Sequence, residues 1–346
     1  MSRELVPETH YIWEEIMFRK IRKTLVSATV LATLAVPAVA ADVTLKLAGT
    51  LPEAHASNRV LEDMIAEIEG ANVGIDIKFF PAGQLGSGEE LLDDAKFGNV
   101  DMVHASVYAV ADPRIDFQSL PFLVGGADDI RKITQNPNAE YNKLYTEILE
   151  QHGIKHLSTV VEGLIGAVAT KMPANPRGIG NQKTTLRVWS SQLAKSTMDL
   201  LGYQTTTMNW AEVFPAVQAG TIDGAICCTP ELAYTAFAAS DVGSVYLDYA
   251  AFTENQLIYM NGGKWAKLSE KQKEVIQTAA SKAARRMSDE ALERTDVIMG
   301  KLKEKGWEIV TFTPEERAAI KAVVKEKIWP SVADVIGQDF LDRLSK

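Results

Sequence analysis

The stretch from Thr185 to Pro230 restricts the possible folds more than any other part of the chain, because short apolar runs alternate in it with helical patterns. The pattern predicts strands at Leu186–Val188, Gln204–Met208 and Ile222–Ile226, a first helix that ends at Gly202 and a second helix over about Ala211–Ala219. Such an alternation is typical of a parallel α/β unit. Ligands of these units bind at the carboxyl ends of the strands.

One arginine, Arg187, lies inside the first of these strands, between apolar neighbours that predict burial. An unpaired buried guanidinium is costly, and its fork of donors matches the geometry of a carboxylate. We therefore predict that Arg187 binds an anionic group, with a structural ion pair to a distant Asp or Glu as the alternative. Trp210 and Cys227 lie at or just beyond the ends of neighbouring strands, so we expect them at the same edge of the sheet.

This stretch resembles the solute-binding proteins of tripartite ATP-independent periplasmic (TRAP) transporters. The resemblance rests first on Arg187, on Trp210 and on the turn Gly220-Thr221-Ile222-Asp223-Gly224, which follow one another at the family's spacing. Further motifs that carry it are Phe80–Gly86, Gly98–Met102 and Leu120–Leu123. It extends from about Val43 to Phe340, which is nearly the whole chain after the leader.

The resemblance implies an α/β fold of the type II periplasmic-binding-protein class, with two lobes, a hinge and one long helix that packs along both. It implies a domain I at residues 41–164 plus 253–292 and a domain II at residues 165–252 plus 293–346. The long helix fits the sequence, since Ser269 can cap a helical run that continues to about Lys305. Around the two crossings, short strands are predicted at Ile154–Val161, Val245–Leu247 and Gln256–Asn261.

The resemblance also implies that the two lobes close on a small organic anion. In that reading Arg187 holds the carboxylate and Trp210 packs on the ligand body, whereas the sequence pattern alone favours a core tryptophan. Ser106 and Thr50 lie where polar side chains of domain I face the cleft, and Glu162 lies at the crossing between the lobes. We predict that these three residues also contact the ligand.

Three positions depart from the family's pattern. A second arginine, 20 residues before the first in many relatives, is replaced by Ala167, and the residue two after Arg187 is Trp189 instead of proline. The polar residues that often follow the Asp223-Gly224 turn are replaced by an apolar run that includes Cys227. We expect Trp189 and Cys227 to line an apolar part of the site. The hypothesis is a monocarboxylate with an apolar or aromatic body, in preference to a C4-dicarboxylate or sialic acid.

Residues 1–40 have the features of a leader that includes a signal peptide. Arg19, Lys20, Arg22 and Lys23 precede the uncharged apolar run Thr24–Val36, and Ala38-Val39-Ala40 matches a cleavage site. We expect export to the periplasm, cleavage after Ala40 and a true start at Met17, with an uncleaved anchor as the alternative.

The charge and motifs limit the partners and the chemistry. A net charge of −9 without a basic run argues against nucleic acid and anionic membranes as partners. The chain has no P-loop motif and no histidine motif for a metal, so we expect no cofactor, no metal and no enzymatic activity. The expected partners are a small-molecule carboxylate and the membrane permease subunits of a TRAP transporter, and the protein is expected to be a monomer.

The two cysteines of the chain, Cys227 and Cys228, are adjacent. Adjacent cysteines bridge only through a strained ring, so free buried thiols, or one thiol lining a pocket, are the alternatives, and we favour free thiols. An exported thiol redox enzyme is one alternative function, although a C-x-x-C motif is lacking. A binding protein for an ABC importer or a sensor is another.

Overall fold

The structure, a computed structural model, describes residues 43–344. The predicted signal peptide, its cleavage site after Ala40 and the expected start at Met17 lie outside the described residues. The strands in the described range are β1 (Val43–Gly49), β2 (Ile75–Phe80), β3 (Met102–Ala105), β4 (Ile154–Ala169), β5 (Thr185–Val188), β6 (Gln204–Thr207), β7 (Gly224–Cys228), β8 (Val245–Asn261) and β9 (Glu308–Val310).

The helices fall between these strands and after the last of them, joined in places by short 3-10 and π-helical turns. They are α1 (Ala56–Gly70), α2 (Gly88–Phe97), α3 (Ala127–Asp129), α4 (Glu140–Gln151), α5 (Gln192–Leu200), α6 (Trp210–Gln218), α7 (Pro230–Leu232), α8 (Gly262–Lys267), α9 (Glu270–Glu304), α10 (Pro314–Lys327), α11 (Val332–Ile336) and α12 (Gln338–Leu344). No helix among residues 43–344 combines the length and the apolar character needed to cross a membrane.

The described strands form one mixed sheet in the order β2-β1-β3-β8-β4-β7-β5-β6, and β9 pairs with β8. At one end β1 pairs in parallel with β2 and β3, and at the other end β5 pairs in parallel with β6 and β7. The antiparallel pair β4–β8 joins these two parallel groups. The parallel α/β unit predicted for residues 185–230 is therefore confirmed, with α5 and α6 as its helices.

The two central strands are longer than the sequence predicted. β4 continues through Glu162 and Gly163 to a length of 16 residues, and the two short strands predicted at Val245–Leu247 and Gln256–Asn261 are the ends of β8, which has 17 residues. The pairing register of β4 with β8 shifts between Val161 and Leu164, where Gly163 has a φ of 126°. A bulge of this kind bends a strand without ending it. For this reason Glu162 and Gly163 do not terminate β4.

The long helix and the α/β type II architecture are confirmed. α9 has 35 residues and begins at the N-cap Ser269, whose hydroxyl accepts from the Gln272 amide in a capping box. It contacts α1 and β4 on the side of the β1–β3 group and α7 and β9 on the other side, so it spans both halves of the sheet. The described residues form one compact unit, and the boundaries of domains I and II stay predictions.

Candidate ligand-binding site

A cavity lies where the carboxyl ends of β1, β3, β5 and β7 converge on the middle of β8. It encloses about 630 Å³, including the part that opens to solvent, which is a size typical of small-molecule sites. Its apolar lining consists of Leu51, Ile165, Trp189, Trp210, Cys227 and Leu232. Its polar lining includes Thr50, Ser106, Arg187, Glu254 and Gln256. The structure thus brings together six of the seven residues that the sequence predicted for the site.

Arg187 is buried in this cavity, with 3% of its surface exposed. Its Nε donates to the Met208 carbonyl at 2.9 Å, but its Nη2 is buried and has no hydrogen-bond partner. No carboxylate of residues 43–344 forms an ion pair with this guanidinium. Burial lowers the pKa of Arg187, yet a guanidinium remains charged near neutral pH. A buried cation without a counter-ion favours the entry of an anion.

Of the three carboxyl groups that influence Arg187 from a longer distance, Glu89 and Glu254 have raised pKa values, and the third is Glu212. Burial raises the pKa of Glu89, and it raises the pKa of Glu254 to about 7. The Oε2 atom of Glu89 is buried without a partner. Because burial disfavours the charged form of both acids, neither of them neutralises Arg187 fully.

Two tryptophans form much of the apolar lining. The ring of Trp210 lies 5.9 Å from Arg187 Cζ and packs edge-on against Phe214 at a centroid distance of 5.5 Å. Trp189 donates from Nε1 to Ser119 Oγ at 3.2 Å and packs edge-on against Phe252 at 5.4 Å. Both rings are therefore held by neighbouring aromatic residues, and they present a rigid apolar surface beside the cation.

The expectation of free thiols is wrong, because Cys227 and Cys228 form a disulfide. Both residues lie at the end of β7, and Cys227 lines the cavity. The register of β4 against β7 shifts between Gly166 and Ala167, next to the pair of Gly166 with Cys228. This irregularity accommodates two bridged residues in a strand. The cavity is therefore lined by a disulfide and not by a free thiol.

The middle of β8 supplies polar side chains that the sequence reasoning missed. Thr253, Glu254, Asn255 and Gln256 all line the cavity. Ser106 Oγ donates to the Asn255 carbonyl at 2.9 Å, and Gln256 Nε2 donates to Ser106 Oγ at 2.9 Å. The run of four polar residues inside a buried, apolar strand was the available signal for this part of the site. The sequence analysis instead predicts a break there between two short strands.

Glu162 does not line the cavity. It is 3% exposed, and it accepts a hydrogen bond of 2.7 Å from Ser57 Oγ. Burial raises the pKa of Glu162 to about 8. From β4 it is Ile165 that reaches the cavity, and Ala167, the position compared with the family's second arginine, is fully buried outside it.

Within residues 43–344, no group of three or more His, Cys, Asp or Glu side chains is arranged to hold a metal ion. His104 is fully buried, and burial lowers its pKa to about 4. His55 accepts from the Ser57 amide at 3.3 Å and so caps α1. These two histidines serve the core and a helix cap in this structure.

Two α/β halves, joined by long strands around a cavity with an unpaired cation, define a solute-binding protein of the type II class. A family model for bacterial extracellular solute-binding protein, family 7, matches residues 48–333, and the chain belongs to that family. The relatives and solved structures compared below are periplasmic solute-binding proteins.

Among curated proteins, the C4-dicarboxylate-binding periplasmic protein DctP of Rhodobacter capsulatus is 25% identical over 341 residues, covering 94% of this chain and 97% of DctP. The sialic acid-binding periplasmic protein SiaP of Vibrio cholerae is 22% identical over 228 residues, covering 65% of this chain and 68% of SiaP. These relatives bind different acids, so family membership alone leaves the ligand open.

Solved structures of TRAP periplasmic solute-binding proteins share the fold. One from Polaromonas, bound to D-erythronate, has a TM-score of 0.76 at 19% identity and covers 88% of this chain and 97% of its own. Another from Shewanella oneidensis, with bound succinate, has a TM-score of 0.76 at 20% identity and covers 87% of this chain and 98% of its own.

Proposed function

We propose that the protein is the periplasmic solute-binding subunit of a TRAP transporter. It captures a small organic acid through an ion pair between Arg187 and the carboxylate, and it delivers the acid to a membrane permease. The observation that carries the proposal is the buried guanidinium whose Nη2 has no hydrogen-bond partner among the described residues. A carboxylate supplies two acceptors in the plane of the guanidinium fork, and so it satisfies both the charge and the donors.

Capture proceeds by closure of the two lobes. Arg187 and Trp210 come from the β5–β7 half, and Thr50 and Ser106 come from the β1–β3 half. An acid that contacts both halves shifts the population from open to closed forms by its difference in affinity for them. Closure expels water and strengthens the ion pair, because the local dielectric constant falls.

The similarity to relatives extends the proposal to location and partners. Several relatives carry the word periplasmic in their names, and the basic and apolar run before Ala40 supplies an export signal that is cleaved there. The closed form, as a monomer, then presents its surface to the permease subunits. Nucleic acid has no role in this function, since the chain carries a net charge of −9.

Substitution of the arginine tests the proposal. Protein purified from the periplasm is screened by thermal shift against organic acids, and the affinity of each hit is measured by calorimetry. We expect Arg187→Ala to weaken binding by about 2–5 kcal/mol, because it removes a desolvated charge-assisted pair. Arg187→Lys keeps the charge without the fork, and we expect it to recover only part of the loss.

Arg131→Ala is the matched control, since Arg131 is exposed and pairs with Asp128 and Asp289 outside the cavity. It should leave the affinity unchanged. An acid that binds Arg187→Ala as tightly as the unmodified protein would contradict the proposal.

A further inference from the structure

We propose that the captured acid carries a hydrogen-bond donor, a hydroxyl or an ammonium group, in addition to its carboxylate, and that Glu254 accepts from this donor. The inference rests on the proposed function, because it takes the carboxylate of the ligand to be held by Arg187. It assigns to Glu254 the role of selecting among organic acids.

One oxygen of Glu254 is engaged and the other is open. Oε1 accepts from Gln256 Nε2 at 3.0 Å and lies 3.3 Å from Ser106 Oγ, whose one proton is donated to the Asn255 carbonyl at 2.9 Å. Oε2 accepts no hydrogen bond from the described residues. Unlike the unpartnered oxygens of Gln256 and Asn255, it is not fully buried. Since Glu254 lines the cavity, its Oε2 is the acceptor available to a ligand there.

The same hydrogen bonds fix the orientation of the Gln256 amide. Its Nε2 donates both to Glu254 Oε1 and to Ser106 Oγ, at 3.0 and 2.9 Å. The reversed amide would place its oxygen against the carboxylate, so the observed orientation is the favourable one. As a consequence Gln256 Oε1 is buried without a donor, and so is Asn255 Oδ1. The β8 part of the lining therefore has unpaired acceptors, whereas Arg187 has unpaired donors.

A ligand pairs with both Arg187 and the acceptors on β8 only if it carries both an acceptor and a donor. A carboxylate alone satisfies Arg187 but leaves the acceptors on β8 unpaired, and a buried acceptor without a donor is costly. A second carboxylate placed against Glu254 would add like-charge repulsion. A hydroxyl or ammonium group supplies the missing donor.

The charges around Glu254 make the inference measurable by proton exchange. Burial raises the pKa of Glu254 to about 7, against the opposing effects of its polar neighbours Gln256 and Ser106 and of the Arg187 charge. Tyr108, Tyr145 and Glu162 couple electrostatically to Glu254, and Tyr108, Glu89 and Glu212 couple to Arg187. The carboxylate of a bound acid neutralises Arg187 and so favours the protonated form of Glu254, whereas a hydrogen bond donated by the ligand to Glu254 favours its ionised form. A bound ammonium group favours the ionised carboxylate, so Glu254 releases its proton.

The first experiment compares matched acids by calorimetry on the protein purified from the periplasm. The sets are (S)-lactate, L-alanine and propionate; D-erythronate and butyrate; and L-glutamate and glutarate. We expect at least one donor-bearing acid to bind, at least tenfold more tightly than its donor-free partner. Equal affinity within a set, or no binding by any donor-bearing acid, would overturn the inference.

The second experiment substitutes the acceptor. Glu254→Gln should weaken the donor-bearing acid about tenfold to hundredfold, because a charged acceptor becomes a neutral amide. Glu308→Gln, an exposed position on β9, is the control and should not change the affinity. Full affinity in Glu254→Gln together with a loss in Arg187→Ala overturns this inference alone. Full affinity in Arg187→Ala overturns the proposed function.

The third measurement needs no variant and therefore does not depend on how well Glu254→Gln folds. The binding enthalpies of a donor-bearing acid and of its donor-free partner at pH 7 are compared in phosphate and in Tris, whose ionisation enthalpies differ. The donor-bearing acid should release more protons, or take up fewer, than its partner, because a hydrogen bond donated to Glu254 favours its ionised form. Equal proton exchange by the two acids would contradict a hydrogen bond to Glu254.

Discussion

Arg187 on β5 and Glu162 on β4 are both buried ionisable side chains, but burial has different consequences for them. Arg187 cannot lose its proton, so its charge needs a partner from outside the described chain. Glu162 can be neutralised instead, and burial raises its pKa to about 8 while Ser57 Oγ donates to it at 2.7 Å. Arg187 therefore needs a bound anion, whereas Glu162 needs only a proton.

This difference predicts a pH-dependent stability. The folded state keeps the Glu162 proton up to about pH 8, whereas the unfolded state loses it above its ordinary pKa of 4.5. Between these values the unfolded state binds fewer protons, so the free energy of unfolding falls as the pH rises. Glu162→Gln removes this contribution. From pH 5 to pH 8 the unmodified protein should lose up to about 4 kcal/mol more than Glu162→Gln.

Urea unfolding of both proteins at the two pH values measures the difference. The glutamine keeps an acceptor for Ser57, so the comparison isolates the proton. Parallel pH profiles of the two proteins would show that Glu162 titrates normally and would refute the prediction.

At single positions, the role of a residue could be predicted where its buried side chain has few possible hydrogen-bond or charge partners. Arg187 could be identified because its neighbours in the strand are apolar and no acid lies within the twenty residues before it. Glu254 was missed because its significance depends on Ser106, which is brought beside it only by the pairing of β3 with β8. The state of Cys227 and Cys228 was predicted wrongly, since the strand irregularity that admits their disulfide lies in the partner strand β4.

At the scale of the secondary-structure elements, the close approach of β4 to β8 requires a glycine at Gly166. A Cβ added to Gly166 would lie 2.5 Å from the Leu247 carbonyl oxygen and 2.6 Å from the Tyr246 ring. The carbonyl belongs to β8 and cannot move without displacing that strand. We expect Gly166→Ala to destabilise the protein by about 1–3 kcal/mol, measured as a lower urea midpoint.

Gly300 offers the opposite case for the same substitution. It lies inside α9, and an added Cβ would meet no atom within 4 Å. Gly300→Ala should stabilise the protein by about 0.5–1 kcal/mol, because alanine loses less backbone entropy in a helix. If Gly166→Ala leaves the urea midpoint unchanged or raises it, as expected for Gly300→Ala, close approach at Gly166 is not what requires glycine there.

Local patterns predicted the elements that are defined by their own residues, such as β5, α6 and the helix that begins at Ser269. They failed for β4 and β8, whose continuity comes from pairing with each other across Gly163 and the polar run Thr253–Gln256. A strand that continues through such residues is stabilised by its partner, and a single-sequence pattern does not contain the partner.

At the scale of the whole molecule, the same two strands connect the halves that hold opposite parts of the site. Two of the three register shifts between β4 and β8 lie close together, one at Gly163 and one opposite Ala250, which has a φ of 51°. Irregular positions in otherwise regular strands are where a backbone can absorb a change in angle. We therefore propose that the molecule bends there, between halves that both contact α9.

Small-angle X-ray scattering tests this motion with the acid selected by thermal shift. At saturating acid the radius of gyration should decrease, because a ligand that contacts Arg187 and the β8 acceptors stabilises the closed form more than the open form. Arg187→Ala should show no decrease at the same concentration, whereas Arg131→Ala should respond like the unmodified protein. A radius of gyration that does not change, although calorimetry shows saturation, would mean that binding occurs in a preformed cavity. The delivery step would then need a signal other than closure.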